Sequence, residues 1–546
     1  MTAVSTPRKV PPRPQVRPDI EFLAPGDGES AWTVADPATG RFTRLGNGAA
    51  MLLRSLDGNR DLKAVRTLVG PAVPESVLHA TLRQFTDLGL LVGTERPRLE
   101  QRRIRFSPPA SLQLTVLDRP RFLAPGRWIP RVLSSRAAVA LCAVAVLAAL
   151  AAVVVGSVHL TDMARQPQPW QYWVIAVAVA VVSNGIHELA HAAVLARFGG
   201  RPRRLGLMLF YLAPAMFCDV SDVWRLRGRH QRVLVALAGV ICQITAASLL
   251  ALSSALTSGT VGEVLSVCAV MTALTGIFNL LPFIKLDGYI ALMAWVDIPN
   301  LRDKSMADAR AVTAWLLFGG ARPARQLSGG WTVFGVGCIL LPWLLGARIL
   351  TIAQSGLMAF GPLGAATWLA LLAAVVGYLL QRLARLYRTA RPRTPLRGIL
   401  TLTAGAALLA LLGQSQSCTP TTEGAYALSG TRVTLWLPDA PGVARPAPGG
   451  KVTLAQRGIL GRLQVGTAVT GDALGTASVP LEPFLPIKGV GGRLDARQFR
   501  LQHTTMGTSA PSEGIATAQT EPTTWTAYLT KTWLTSPWTV AASLLR

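Results

Sequence analysis

The chain has 546 residues, of which 50% are hydrophobic and only 15% are charged. This composition and the long apolar runs exclude a purely soluble protein and are typical of a multi-pass membrane protein. The formal net charge is +26, but the arginines cluster beside the apolar runs, as the positive-inside rule requires, so the charge need not indicate nucleic-acid binding. Six scattered cysteines form no Cys-x-x-Cys pair, which argues against a thiolate metal site or a disulfide framework.

The N-terminal region predicts a short tail and a small domain. Residues 1–15 are basic and rich in proline, which predicts a disordered tail. Within residues 16–96, AWTVADPATGRFTRL alternates around a turn and predicts a β-hairpin. Three amphipathic helices are predicted within AAMLLRSLDG, LKAVRTLVG and PESVLHATLRQFTDLG, and LLVG predicts a closing strand. This order of elements favours a winged-helix α+β domain.

Several segments of this domain carry a resemblance. RPDIEFL, LRSLDGNRDLKAV and LRQFTDLGLLVG, together with the hairpin, resemble the PqqD-like domains of ribosomal-peptide pathways. The resemblance implies that the domain recognises the leader of a precursor peptide, bound as an added strand along a sheet edge. A generic winged helix that binds DNA is the alternative.

The middle of the chain predicts a membrane core. Residues 97–136 are basic and interrupted by prolines, so we expect a linker near the inner membrane surface or a solvated spacer. Residues 137–413 then contain seven apolar runs, each a predicted membrane span. The run Leu205–Phe217 is too short to cross and predicts a re-entrant hairpin or intramembrane strand. The predicted spans are Ala137–Val158, Val174–Phe198, Val233–Ser254, Val264–Phe283, Trp331–Gly346, Pro362–Leu380 and Gly398–Gly413.

The positions of the basic loops predict the orientation. They place the N-terminus in the cytoplasm and residues 414–546 outside. Because the composition is rich in Arg, Ala and Pro, we expect a bacterial source and therefore the inner or plasma membrane of a bacterial cell. Those last residues are richer in Ser, Thr, Gly and Pro, and TRVTLWLP, KVTLAQRG and GRLQVGTAV alternate in polarity. We therefore expect an extracytoplasmic β-rich domain there.

The second predicted span carries His187, Glu188 and His191, in the sequence HELAH. Residues i and i+4 lie on one face of a helix, so both imidazoles can reach one metal ion, with Glu188 beside them to polarise a water. An ionisable side chain near the bilayer centre costs about 2.5–3.5 kcal/mol on insertion scales. Three within two turns therefore favour a function over a chance match among a few satisfied polar groups.

A zinc site on such a helix needs a third protein ligand. The remaining histidines are expected in soluble regions, in a basic loop or at the opposite membrane face, which favours a carboxylate. Asp287 ends the fourth predicted span, within NLLPFIKLDG, at a depth that matches the histidines. Asp219 and Asp222, in CDVSD, are alternative carboxylates that we expect to support the site or cap a loop. The remaining histidines are His79, His159, His230 and His503.

HELAH and NLLPFIKLDG together resemble the site-2 protease family of intramembrane zinc metalloproteases. The family pattern is HExxH on one span and NxxPxPxxDG on a later one, and Ile284 stands here in place of the second proline. The resemblance implies a bound Zn²⁺ and a general base. The implied ligands are His187, His191 and Asp287, and the implied base is Glu188.

Three further residues follow from the same resemblance. Asn279 is a candidate for orienting the substrate or stabilising an oxyanion, and Gly288 beside Asp287 belongs to the same candidate substrate site. Gly288 also allows a backbone bend. Gly239, in ALAGVICQ, fits a glycine that the family places in a neighbouring span.

The order of the three parts is similar to bacterial peptide zinc metalloproteases and to the membrane peptidases of daptide-type peptide clusters. It implies an intramembrane endopeptidase that removes the leader from a ribosomally made precursor peptide. The expected partners are that peptide and the lipid bilayer, without nucleic acid. Two alternatives remain, a signalling protease with a DNA-binding N-terminal domain and a catalytically inactive exporter or immunity protein.

Overall fold

The structure is a computed structural model. The predicted N-terminal tail, residues 1–15, lies largely outside the residues that it describes. It describes all residues except 1–9, 26–30, 40, 71–72, 96–103, 108–110, 119, 134, 155–165, 211–212, 320–321, 325, 359, 391–394, 441–442, 459–460, 486, 508–509 and 546.

Helices and strands follow one another in three stretches: a mixed N-terminal part, a helical middle and a C-terminal part rich in strands. The helices are α1 (Asn47–Ser55), α2 (Leu62–Val69), α3 (Glu75–Asp87), α4 (Trp128–Leu133), α5 (Arg136–Val154), α6 (Trp170–Arg197), α7 (Arg229–Ala255), α8 (Gly259–Asn279), α9 (Asp287–Val296), α10 (Leu301–Phe318), α11 (Gly329–Met358), α12 (Gly361–Ala390), α13 (Pro395–Ser415), α14 (Trp525–Thr530) and α15 (Ser536–Ala541). The strands are β1 (Glu21–Leu23), β2 (Ala31–Asp36), β3 (Arg41–Gly46), β4 (Ile104–Ser107), β5 (Ser111–Asp118), β6 (Gln168–Pro169), β7 (Arg204–Phe210), β8 (Ala213–Cys218), β9 (Ser417–Cys418), β10 (Thr421–Ser429), β11 (Arg432–Pro438), β12 (Lys451–Arg457), β13 (Arg462–Pro480), β14 (Ile487–Lys488), β15 (Arg493–Met506), β16 (Glu513–Gln519) and β17 (Thr523–Thr524).

Within the described ranges, seven helices are long and apolar enough to cross a membrane. The chain is therefore a multi-pass membrane protein, and these helices agree in number and position with the predicted spans. Helix α11 is longer than its predicted span, because the backbone stays helical after the predicted apolar run ends. The helix also contains Pro342. The seven helices are α5, α6, α7, α8, α11, α12 and α13.

The chain divides into two compact units. The first contains the N-terminal domain, the HELAH motif and Asp287, and the second contains the C-terminal strands. The first unit comprises Met1–Ala151, Ala178–Leu252 and Met271–Pro299, and the second comprises Ala152–Val177, Ser253–Val270 and Asn300–Arg546.

The N-terminal part of the first unit combines a three-stranded antiparallel sheet, in the order β1-β2-β3, with α1, α2 and α3. The predicted hairpin and the three predicted helices are confirmed. The predicted closing strand is present only as one isolated bridge, between Val16 and Leu91. The Leu91 side chain is buried in the core of the domain. The fully buried side chains of this core include Leu53, Leu82, Phe85 and Leu91.

A second sheet of the first unit corrects the prediction of a linker at residues 97–136. Strands β4 and β5 form a hairpin, and β5 pairs with β7 to give the antiparallel order β4-β5-β7-β8. The arginines and prolines around β5 obscured its short alternating pattern. The predicted hairpin of Leu205–Phe217 is present as β7 and β8. Pairing with β5 satisfies backbone groups of β7 that would otherwise form an open sheet edge, which is costly near lipid.

The second unit contains a closed six-stranded barrel, in the order β10-β11-β15-β13-β12-β16, which confirms the β-rich prediction for residues 414–546. After the barrel, the chain forms α14, a π-helical turn and α15, none of which was predicted. This terminal segment packs against spans of the same unit. The Trp368 indole donates a hydrogen bond to the Trp533 carbonyl (3.1 Å), and the Gln354 amide donates one to the Thr532 carbonyl (2.6 Å).

Substitution of Gly206 tests the pairing of β5 with β7. A Cβ at Gly206 would lie 2.1 Å from the Leu114 carbonyl oxygen, so Gly206→Ala must push the two strands apart. We expect faster hydrogen exchange of the amides of residues 111–118 in this variant. Gly46→Ala is the control, because a Cβ at Gly46 meets nothing within 4 Å. Equal exchange in both variants would contradict the pairing.

Candidate metal centre

His187 and His191 lie one turn apart on α6, and both are buried, with 3% and 4% of their surface exposed. Their Nε2 atoms are 3.0 Å apart, and the two rings meet edge to face. Two imidazole nitrogens at this distance repel each other unless a proton or a cation lies between them. The HELAH spacing therefore produces the paired ligand atoms that the sequence predicts.

Asp287 brings a carboxylate to the same point. The chain leaves α8 at Asn279, turns, and begins α9 with Asp287, so this residue starts a new helix instead of ending the fourth span as predicted. Its Oδ2 lies 2.9 Å from His187 Nε2 and 3.3 Å from His191 Nε2. The structure thus brings together the three predicted ligands, two from α6 and one from α9.

The three ligand atoms fit a metal ion. They form a triangle with sides of 2.9, 3.0 and 3.3 Å. A tetrahedral site with ligands at about 2.0–2.1 Å spaces its ligand atoms about 3.3 Å apart, so one ion can cap this triangle and keep a fourth position for water or substrate. Among the described residues, His187, His191 and Asp287 are the group of His, Cys, Asp or Glu side chains whose ligand atoms lie close enough together to hold a metal ion.

Gly239 on α7 makes room for the histidines. A Cβ there would lie 2.4 Å from His187 Cε1 and 2.5 Å from the Nε2 atom of each histidine. Helix α7 also contacts His191 directly, since His191 Nδ1 lies 2.7 Å from the Val235 carbonyl oxygen. A hydrogen bond from Nδ1–H to that carbonyl leaves the Nε2 lone pair for a metal ion. The predicted glycine therefore has a steric reason.

Asp287 lies outside the spans, and its ionisation is set by opposing effects. Burial raises the pKa of this carboxyl, but its close contacts with His187 and His191 outweigh that effect and lower its pKa to about 2. The carboxylate is therefore ionised at neutral pH and offers a negative charge to a cation.

Strand β8 holds Glu188 beside the histidines. The backbone N–H of Cys218 donates to Glu188 Oε2 (2.8 Å), and the N–H of Met216 donates to Asn184 Oδ1 (2.7 Å). The two acceptors are one turn apart on α6, so the helix follows the edge of β8 that does not pair with β7. This attachment orients the Glu188 carboxylate.

Asn279 and Gly288 frame the turn that delivers Asp287. The Asn279 side-chain amide donates a hydrogen bond to Gln243 Oε1 (3.1 Å), and Gln243 on α7 is 1% exposed. A Cβ at Gly288 would lie 2.0 Å from the Leu280 carbonyl oxygen, so close packing requires this glycine. The sequence analysis missed Gln243, although a glutamine within an apolar span was the available signal.

The other carboxylates and histidines lie outside the three-ligand group. Asp219 forms an ion pair with Arg204 (3.1 Å). Burial raises the pKa of Asp219, but hydrogen bonds from Ser221 and Arg204 lower it overall. Asp222 accepts the Arg201 N–H (2.8 Å). Both carboxylates therefore stabilise the chain around the β7–β8 hairpin. His159 lies outside the described residues, and His79, His230 and His503 do not join the group.

A comparison with known proteins finds a distant relative of part of the chain. The protein is similar to "Putative peptide zinc metalloprotease protein YydH" of Bacillus subtilis (strain 168), with 28% identity over 130 residues. These residues are 24% of this chain and 50% of the relative, so the chain spans about half the length of that relative. No family model matches the chain, and no solved structure matches it.

Substitution of Gly239 tests the metal centre. The Cβ of Gly239→Ala would occupy the space beside both Nε2 atoms, so we expect metal affinity to fall about 10- to 100-fold, as for other changes that displace metal ligands. Divalent metal per chain is measured by inductively coupled plasma mass spectrometry after dialysis. The control is Gly346→Ala in α11, where a Cβ meets nothing within 4 Å. Equal metal content in both variants would argue against the site.

Proposed function

We propose that this protein is an intramembrane zinc peptidase. The observation that carries the proposal is the meeting of His187 Nε2, His191 Nε2 and Asp287 Oδ2 within 3.3 Å of one another. Two imidazoles and one carboxylate with a fourth position open form a donor set typical of catalytic zinc. The name of the Bacillus subtilis relative, a peptide zinc metalloprotease, supports the same metal and the same class of substrate.

His187, His191 and Asp287 would hold the zinc ion. Zinc, when bound there, supplies a Lewis acid that polarises a carbonyl group and makes water a stronger nucleophile near neutral pH. The fixed tautomer of His191 and the ionised Asp287 prepare the ligands for the ion.

Glu188 is the general base of the proposed reaction. Its carboxylate takes a proton from the attacking water and returns it to the amide nitrogen as the C–N bond breaks, giving a carboxylate and an amine. The hydrogen bond from Cys218 holds Glu188 in place for both transfers. In this proposal Asn279, which donates a hydrogen bond to Gln243, orients the peptide or stabilises the developing oxyanion.

The proposed substrate is a ribosomally made precursor peptide, whose leader is captured by the N-terminal domain. The support is the resemblance of residues 16–96 to PqqD-like domains, and the three-stranded sheet, which offers β1 and β3 as outer strands. In this proposal the domain has a winged-helix arrangement and lies in the cytoplasm, at the inner or plasma membrane of a bacterium. The C-terminal barrel lies outside.

Glu188→Gln is the direct test of the reaction. Loss of the base should lower cleavage about 10²- to 10⁴-fold, whereas the metal content should stay at the wild-type level because the three ligands remain. Cleavage of a synthetic leader-containing precursor peptide by the protein in lipid vesicles is followed by mass spectrometry. Glu263→Gln is the matched control, because Glu263 is also within a span but binds Tyr172 (2.9 Å). Wild-type cleavage by Glu188→Gln would rule out this role.

Leader capture is tested with the full-length Glu188→Gln protein, which should hold the peptide without cutting it. We expect binding of the isolated leader peptide, measured by fluorescence anisotropy, with a weak dependence on salt because strand addition relies on backbone hydrogen bonds. Steeply salt-dependent binding of duplex DNA without leader binding would favour a DNA-binding domain instead.

A further inference from the structure

Asp297 lies directly after α9, the helix that begins with Asp287. The helix has ten residues, and Asp297 ends it in a left-handed conformation (φ 55°). Asp287 and Asp297 lie at the two ends of this helix, about 15 Å apart at 1.5 Å per residue, so a contact that holds Asp297 restrains the helix that carries Asp287.

Two arginines hold Asp297. Arg232 Nη2 lies 3.0 Å from Asp297 Oδ1, and Arg44 Nη1 makes an ion pair with the same oxygen. The side chains of Arg232, Arg44 and Asp297 are 4%, 12% and 23% exposed. Charge pairs that are shielded from water in this way are sensitive to loss of a single partner, because the remaining charge stays buried.

The two arginines come from different parts of the first unit. Arg232 lies near the start of α7, the helix that supplies Val235 to His191 and Gly239 to both histidines. Arg44 lies on β3 of the N-terminal domain. Asp297 therefore joins three elements: the helix behind the histidines, the helix that delivers the third ligand, and the domain proposed to capture the peptide.

We propose that Asp297 is a positioning residue that holds Asp287 in the metal centre. The N-terminal domain contributes to this positioning through Arg44. The Arg44–Asp297–Arg232 network fixes α9 against α7, and this sets the distance from Asp287 to the two histidines. The inference rests on the proposed function in taking zinc as the metal. Its consequence is that the domain that captures the leader also governs how tightly the metal is held.

The test measures zinc affinity of the full-length protein by competition with a chromophoric chelator. Arg44→Gln and Asp297→Asn should each raise the zinc Kd about tenfold or more, the range found when groups behind metal ligands are removed. Arg44→Lys keeps the charge and should restore an affinity close to that of the wild type. The Arg44→Gln/Asp297→Asn double variant should be no weaker than Asp297→Asn alone, because both changes break the same network.

Glu21→Gln is the matched control. It breaks the 3.0 Å ion pair of Glu21 with Arg225, which also joins the N-terminal domain to the core. Both residues lie outside α7 and α9. We expect wild-type zinc affinity in this variant. An equal loss of affinity in Glu21→Gln and Arg44→Gln would show that domain docking in general is responsible, and would overturn the role of Asp297.

Arg44→Gln keeps the test decisive if Asp297→Asn fails to fold, because it leaves the Arg232–Asp297 pair in place. Wild-type zinc affinity in Arg44→Gln would overturn the proposal. The readout is independent of peptide cleavage. A shifted zinc Kd in a protein that cleaves no peptide would refute the proposed function and leave this inference standing.

Discussion

The structure depends on the meeting of two buried imidazoles and one carboxylate among apolar helices. Burying these groups costs free energy that is recovered only if they bind one another or a shared ion. His187, His191 and Asp287 approach within 3.3 Å, and Gly239 leaves space at the Nε2 atoms. A separation above about 10 Å between Asp287 and the histidines would have excluded a common ion, since zinc–ligand distances are about 2 Å.

The elements around this point hold the three candidate ligands and Glu188 from different sides. Helix α7 contacts His191 through the Val235 carbonyl, and strand β8 contacts Glu188 through a backbone N–H. The turn before Asp287 packs so closely that a Cβ at Gly288 would lie 2.0 Å from the Leu280 carbonyl oxygen. Backbone groups and glycines restrict the positions that these side chains can take, which favours the preorganisation that electrostatic catalysis requires.

The sequence predicts those features that are encoded locally. Hydrophobic runs locate the spans, and the spacing of His187 and His191 places them on one helix face. Asp287 is predictable because its motif is paired with HELAH. The pairing of β5 with β7 cannot be predicted in this way, because two membrane spans separate those strands and their register is set only when the chain folds. The link between Arg44 and Asp297 is equally non-local, and neither residue belongs to a motif.

Zinc K-edge X-ray absorption of the purified protein tests the central claim most directly, because it reports the identity and distance of the ligand atoms. We expect one zinc ion per chain, with two imidazole nitrogens and oxygen ligands at about 2.0–2.2 Å and four-fold coordination. Absence of zinc, or a sulfur ligand at about 2.3 Å from a cysteine such as Cys218, would contradict it.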